Sequence, residues 1–223
     1  MATTVANMLT WVGYRIFTDG STTISTSSEP SQAEVIQWIN ETVAEILTVC
    51  VERKTEIGRS TASITLADGD KDYTDLATTL LTPCEMLDDD GMRFCGWIEK
   101  TNVRNPLKLG TEADSVNYDP AAESEPDMFY VTGDNTLIFL NTPDATYTAK
   151  IPYYAVHTIL TATTDTVPYV GVFDSVIIEA VTMRAQNRDE YDLSYELNWF
   201  KYIRGQARKI IAMRQGETKR VLS

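Results

Sequence analysis

The chain has 223 residues, of which 43% are hydrophobic, and its formal net charge is −13 at pH 7. This length allows one large domain or two small ones, and the aliphatic content excludes a disordered body. No stretch approaches the ~20 apolar residues of a membrane span, and the N-terminus lacks the pattern of a secretory signal. We therefore expect a soluble protein made inside a cell, with no membrane partner.

The negative charge is not spread evenly along the chain. Residues 200–223 carry seven bases against one acid, so residues 1–199 carry −19. The favourable position of cations at the end of a helix accounts for about two or three of the seven, because the helix dipole acts within about one turn. A basic end on an acidic body indicates a segment that binds another surface. The acidity of the body argues against general nucleic-acid binding, since phosphate contacts need clustered Lys and Arg.

Two amphipathic helices are predicted near the N-terminus. Apolar residues at nearly helical spacing mark the first over residues 3–16, with Gly13 as a candidate end. After a polar loop, Ser31 and Glu34 form the Ser-x-x-Glu pattern of a capping box. Apolar residues at i, i+3 and i+4 then continue the second helix to about Arg53.

From Gly58 the hydrophobic period changes toward two, which predicts strands. Ile64 and Leu66 alternate with polar residues, and the run Asp-Asp-Asp-Gly at residues 88–91 predicts a hairpin turn. Residues 102–127 are rich in proline and acids and are predicted to form a long irregular connection.

Strands resume after this connection. Met128–Val131 and Thr136–Leu140 flank a turn, and a further strand begins at Tyr147. Pro152 restricts this last strand to a sheet edge or a bulge. Short loops between the strands predict antiparallel pairing throughout.

Helical spacing returns after Pro168, and one helix is predicted to run from Phe173 to Ala185. A second helix to about Arg214 is marked by apolar and aromatic residues at i, i+3 and i+4. Its predicted core-facing residues are Tyr191, Tyr195, Trp199, Tyr202, Ile203, Gln206, Ile210 and Met213. Gly216 is predicted to end this helix.

These elements predict an α+β fold. The N- and C-terminal helices would form an antiparallel helical bundle with an inserted antiparallel β-rich region, because each helix has one apolar face that needs cover. The predicted domains are a discontinuous helical domain of residues 1–57 and 166–214 and a β-rich insertion of residues 58–165. Residues 215–223 are predicted to form a flexible basic C-terminal tail.

Candidate catalytic and metal sites find little support. The three cysteines form no CxxC motif, and the lone His157 cannot complete a zinc site. A calcium loop beginning at Asp68 would need Gly and Glu where Tyr73 and Thr79 stand. His157 lies among apolar residues, so a structural partner is favoured over a role as general base. We predict no catalytic residue, no metal and no cofactor, although paired acids stay open because 32 acids allow many pairs.

The order of elements resembles the head-to-tail adaptor (connector) proteins of tailed bacteriophages, a family of portal-binding ring proteins. The resemblance rests on the segments TVANMLTWVGYRI, SQAEVIQWINETVAEIL and ITLADGDKDYTDLA. It also rests on the closing segment VPYVGVFDSVIIEAVTMRAQNRDEYDLSYELNWFKYIRGQARK. There a Pro-aromatic-Asp entry leads to a helix, an acidic break and a Tyr-rich helix. The chain departs from the family where Asp75-Leu76-Ala77 replaces the usual Leu-Pro.

The resemblance implies a structural virion protein and not an enzyme. Adaptor subunits form a ring, commonly of twelve, under the portal at the head-tail junction, after assembly in the host cytoplasm. The implied partners are the portal protein, a tail or nozzle protein and neighbouring copies of the chain. The ring joins the capsid to the tail and lines the DNA channel, and DNA passes through without specific binding.

We expect the basic end to dock on the portal by charge complementarity. The predicted partner-binding residues are Arg204, Arg208, Lys209, Arg214, Lys219 and Arg220. Three alternatives remain open. The chain could be a neck stopper or tail-completion protein, a tail-associated cell-wall hydrolase with paired acids, or a nucleic-acid-binding module acting through residues 200–223.

Overall fold

A computed structural model describes residues 3–17, 21–87, 91–101, 103–119, 122–169, 171–188 and 193–221. The chain divides into two compact units. One unit joins the two ends of the chain, Met1–Gly58 with His157–Ser223, and the other is the continuous segment Arg59–Val156. The helical and the sheet-forming parts of the chain therefore have separate cores, and each is described by itself.

The first unit contains the four described α-helices. They are α1 (Val5–Ile16), α2 (Gln32–Glu52), α3 (Asp174–Gln186) and α4 (Leu193–Val221). Helix α3 contacts all three others, and α2 also contacts α4. The successive residues Val176, Ile177 and Ile178 of α3 are all buried, although they project to different sides of the helix. This burial follows from the position of α3 between its neighbours.

The predicted capping box starts α2 and is confirmed. The Ser31 backbone N–H donates to Glu34 Oε2 over 2.8 Å, and the Glu34 N–H points back to Ser31 Oγ. The Ser31 N–H and the Ser31 hydroxyl both donate to Glu34 Oε2, and these two bonds lower the pKa of the carboxyl. Behind the cap, the predicted apolar residues form a fully buried stripe: Val35, Ile39, Val43, Ile46 and Cys50.

Helix α1 continues past Gly13 to Ile16, so the glycine does not end the helix. Its role is close approach of backbone. A Cβ at Gly13 would lie 2.5 Å from the carbonyl oxygen of Thr22, in the segment that leads from α1 to α2. Any larger residue would push that segment away from the helix.

The second unit is built on an eight-stranded, curled sheet. Its strands lie in the order β1-β10-β6-β7-β8-β9-β2, and β3 pairs with part of β10. Strands β4 and β5 form a separate two-stranded sheet. The bounds are β1 Arg59–Leu66, β2 Asp72–Tyr73, β3 Leu80–Pro83, β4 Met86–Leu87, β5 Arg93–Phe94, β6 Gly96–Glu99, β7 Arg104–Leu109, β8 Met128–Val131, β9 Leu137–Leu140 and β10 Tyr147–Ala155.

The predicted fold class, a helical bundle with an inserted antiparallel β-rich region, is wrong. The sheet dominates its unit. It is mixed because β7 and β8 pair in parallel, with Lys108 opposite Met128. Parallel neighbours need a crossover connection of a dozen or more residues. Residues 110–127 supply it and include a 3-10 helix, Glu112–Asn117. The prolines and acids of residues 102–127 predicted only an irregular connection, so neither β7 nor the crossover was predicted.

Strand β10 is central, so the prediction that Pro152 restricts it to an edge or bulge needs correction. On one side β10 pairs with β1 along its length. On the other side its pairing with β6 ends at Lys150, and its pairing with β3 begins at Tyr153. The Pro152 carbonyl accepts from Cys84 N–H on that second side. The backbone N–H and C=O of a residue in an antiparallel strand point to the same neighbouring strand. Proline has no N–H, and at Pro152 the position of this absent donor falls in the gap between β6 and β3.

Two predicted turns can be compared with the structure. Strands β4 and β5 pair antiparallel around the Asp-Asp-Asp-Gly run, which confirms a hairpin there, although residues 88–90 lie outside the described residues. Asn135 adopts φ 63° between β8 and β9 and donates through Nδ2 to the carbonyls of Ala77 and Leu80, each at 3.1 Å. The β8–β9 turn is thereby fixed to the segment before β3.

Candidate partner-binding site

All six predicted partner-binding residues lie on one helix, α4. The helix runs to Val221, beyond the end predicted at Gly216, so the backbone of Lys219 and Arg220 is helical. Side chains after Gln215 lie outside the described residues. The flexibility predicted for residues 215–223 stays a prediction.

The buried face of α4 decides which bases can meet a partner. Trp199, Ile203, Ala207 and Ile211 are fully buried at i, i+4 spacing, and the Trp199 indole N–H donates to the Ala180 carbonyl over 2.8 Å. The predicted stripe is therefore rotated, since Met213 is 62% exposed. The predicted stripe did not include Ala207, because alanine is only weakly hydrophobic, yet this residue is fully buried.

Two of the predicted residues are paired within the chain. Arg204 Nε donates to Glu45 Oε2 over 2.7 Å, and Arg208 Nη2 donates to Glu52 Oε2 over 3.0 Å. The hydrogen bond and the charge of Glu45 raise the pKa of the Arg204 guanidinium. Both glutamates belong to α2, so these pairs connect α2 with α4.

Two further arginines that the sequence did not single out make similar contacts. Arg184 of α3 lies 3.3 Å from Glu41 and 3.2 Å from Glu196, and its guanidinium stacks 4.5 Å from the centre of the Trp199 ring. The Nη1 atom near Glu41 is not aligned to donate a hydrogen bond, so that contact is purely electrostatic.

Arg188, just after α3, lies 3.7 Å from Glu34 and 3.9 Å from Glu29. At these lengths the contacts are electrostatic and not hydrogen bonds. Together with the α4 pairs, they place acids along α2 opposite arginines from the C-terminal part of the chain. The two ends of the chain are thus joined by charge as well as by apolar packing.

The lysines of α4 are arranged differently. Lys201 and Lys209 are exposed, and within the described residues neither lies within ion-pair distance of an acid. Arg214 is also exposed. Gly205 lies between the two lysines along the helix, and a Cβ there would meet nothing within 4 Å. Lys201 was not among the predicted residues, and only the observed buried face identifies it as outward-facing.

The acids are concentrated in the sheet unit. Arg59–Val156 contains 17 acids and 7 bases, a net charge of −10, which leaves −3 for the helical unit. Within the crossover, residues 111–127 hold six acids and no base. The sheet unit is therefore the part of the chain that repels polyanions most strongly.

His157 has the structural partner that the sequence favoured. Its Nε2 lies 2.9 Å from Asn40 Oδ1, which also accepts from the Leu160 N–H over 2.8 Å. Because Asn40 Oδ1 is an acceptor, His157 donates from Nε2. Burial lowers the pKa of the imidazole. This contact fixes the segment that follows β10 and involves no candidate nucleophile.

Metal-binding groups and membrane spans were predicted to be absent, and the described part of the chain allows both to be examined. There, no group of three or more His, Cys, Asp or Glu residues could hold a metal ion, and no helix has the length and apolar character of a membrane span. Cys50, Cys84 and Cys95 are buried and form no disulfide, and burial raises the pKa of the Cys50 thiol to about 12. At neutral pH that thiol is protonated and unreactive.

Comparison with known proteins gives one finding. The family model described as SU10 adaptor protein matches residues 3–220, which is nearly the whole chain and both of its units. No curated protein matches the chain.

Proposed function

Because the chain belongs to the SU10 adaptor protein family, a family of phage structural proteins, we propose that its copies form a dodecameric ring under the portal. This ring joins the capsid to the tail at the head-tail junction and lines the DNA channel. Its partners are the portal protein, a tail or nozzle protein and neighbouring copies. The family match over both units is the observation that carries the proposal.

Charge supports a portal contact through α4. The chain is acidic overall, yet Lys201, Lys209 and Arg214 are exposed on one helix, which continues to Lys219 and Arg220. Complementary charge gives orientation and fast association between proteins. Arg204 and Arg208 are the weakest members of the predicted site, because glutamates of α2 already pair with them.

The sheet unit suits the wall of a DNA channel. Its net charge of −10 repels phosphate, so DNA can pass without being retained. An adaptor in this position needs no catalytic group, and the proposed role is structural and not enzymatic.

The proposal is tested by deleting residues 215–223. Among the side chains that the structure describes, Ile211 is the last buried one of α4, so we expect the shortened chain to fold with a circular dichroism spectrum close to that of the full chain. We expect it to lose co-sedimentation with purified portal rings. The control is Glu112→Gln/Glu123→Gln, which alters charge in the sheet unit and should leave portal binding unchanged.

Mass photometry of the complex gives the number of copies on each portal ring. Normal binding by the shortened chain would overturn docking through residues 215–223 of α4. Cross-linking of Lys219 in virions to a tail-side protein, and not to the portal, would instead indicate a neck stopper or tail-completion protein.

A further inference from the structure

Between Arg184 and Lys209, the bases of the helical unit divide by residue type. Arg184, Arg188, Arg204 and Arg208 each lie within ion-pair distance of a glutamate, and α2 supplies an acid to every one of them. The exposed lysines Lys201 and Lys209 have no such partner within the described residues. The paired bases are thus arginines, the residue type that binds phosphate through more hydrogen bonds.

This division matters because the two side chains bind phosphate differently. Arginine presents a planar fork that binds phosphate through two hydrogen bonds, whereas lysine acts as a point charge. Arg204 and Arg208 are accessible, with side chains 41% and 44% exposed. Both guanidiniums can therefore be reached by a polyanion, and the groups that oppose its binding are their glutamate partners.

The geometry points to Glu45 and Glu52 as a mask: we propose that these two glutamates prevent Arg204 and Arg208 from binding the DNA backbone. A phosphate that approached either guanidinium would meet a carboxylate within 3.0 Å of the same nitrogen atoms. Like charge at that range opposes binding. The pair also carries no net charge that could attract a phosphate from a distance.

Helix α2 holds the mask in place. Glu45 and Glu52 are seven residues apart, which is about two helical turns, so they project from the same face. Arg204 and Arg208 are four apart and share a face of α4. Because both helices are packed through buried stripes, the backbones that carry the two glutamates and the two arginines are held opposite each other. The ion pairs therefore form within the isolated subunit.

The biological role of the mask rests on the proposed function, because a channel protein must let DNA pass. The mask itself is a property of the isolated subunit and can be measured without a portal. Without it, α4 would present the guanidiniums of Arg204 and Arg208 to a duplex in addition to the exposed Lys201 and Lys209. A channel subunit with such a helix would retain phosphate and slow the passage of DNA.

The test uses the full chain and a fluorescein-labelled duplex of about 30 base pairs, with anisotropy read at about 50 mM salt. Glu45→Gln/Glu52→Gln removes the two masking charges and keeps the side-chain shape. The matched control, Glu56→Gln/Glu112→Gln, makes the same change in net charge at exposed acids that pair with no base within the described residues.

We expect the unmasked variant to bind at least about tenfold more tightly than the control. Two new phosphate contacts should also steepen the dependence of log K on log salt by about 1.8. Adding Arg204→Gln/Arg208→Gln to the unmasked variant should return binding to the level of the control. Thermal unfolding followed by circular dichroism verifies that each variant is folded.

Equal binding by the unmasked variant and the control would overturn the mask, as would a gain that survives removal of both arginines. Portal co-sedimentation of the unsubstituted chain is measured separately. If that chain binds the portal but the variant shows no unmasking, only the mask is disproved. If the variant shows unmasking but the unsubstituted chain fails to bind the portal, only the proposed function is disproved.

Discussion

Replacing Arg184 with lysine should destabilise the helical unit although it preserves the charge. The guanidinium contacts Glu41 from α2 and Glu196 from α4 and stacks on Trp199, and its side chain is only 20% exposed. A stacked cation of this kind contributes about 0.5–2 kcal/mol, and each partly exposed ion pair about 0.2–1 kcal/mol. A single ammonium cannot face both acids and the ring, so we expect a loss of about 1–2 kcal/mol for Arg184→Lys.

The assay is urea unfolding followed by the helical circular dichroism signal, because all described α-helices belong to this unit. Arg53→Lys is the control, since Arg53 is an exposed arginine at the end of α2 and should cost less than about 0.5 kcal/mol. A double-mutant cycle of Arg184→Met with Glu196→Gln then isolates one ion pair. If Arg184→Lys unfolds at the same urea concentration as Arg53→Lys, the planar stacked guanidinium does not stabilise the α3–α4 contact.

Three further changes test particular contacts. Gly205→Ala should stabilise the subunit by about 0.5–1 kcal/mol in urea unfolding, because the new Cβ meets no neighbour and alanine favours helix; a loss would mean that the outer face is covered. Gly96→Ala should cost about 1–3 kcal/mol in the same assay, because its Cβ would lie 2.7 Å from the Lys150 carbonyl. Burial lowers the pKa of His157, so the unfolded chain takes up a proton first as pH falls below about 6.5, and stability should decline there. Urea midpoints between pH 7.5 and 5.5 should show less decline in His157→Gln, and equal slopes would contradict this sign.

Sequence reasoning succeeds here where the signal is local. The Ser31–Glu34 capping box lies within a single turn, and both hydrogen bonds form. The alternation of Ile64 and Leu66 places both residues in the core of the sheet unit. These patterns depend only on neighbours in the chain, so tertiary structure does not alter them.

The mixed sheet could not be predicted in this way. The pairing of β7 with β8 depends on how residues 110–127 cross the sheet, and no short pattern encodes that path. Pro152 was misjudged for a related reason. A central strand tolerates proline only because β6 and β3 leave a gap beside it, which is a property of three distant segments.

The candidate site shows the same division. The excess of bases near the C-terminus is visible in composition, and it places the predicted partner-binding residues on α4. The pairing of Arg204 with Glu45 joins residues that are 159 positions apart. Charge counting does not detect such ion pairs, so it names Arg204 and Arg208 as candidate residues without their glutamate partners.

The division of the helical unit between the two ends of the chain has a consequence for its synthesis. Helix α2 is complete at Glu52, but α3, which covers it, begins only at Asp174. At roughly 5–20 residues per second, ribosomes need roughly 6–24 s to make the residues between them. During that time the sheet unit, which is continuous, can fold as it emerges, while the apolar stripe of α2 lacks the cover of α3 and α4. Nascent chains in this interval therefore expose apolar surface, which favours aggregation.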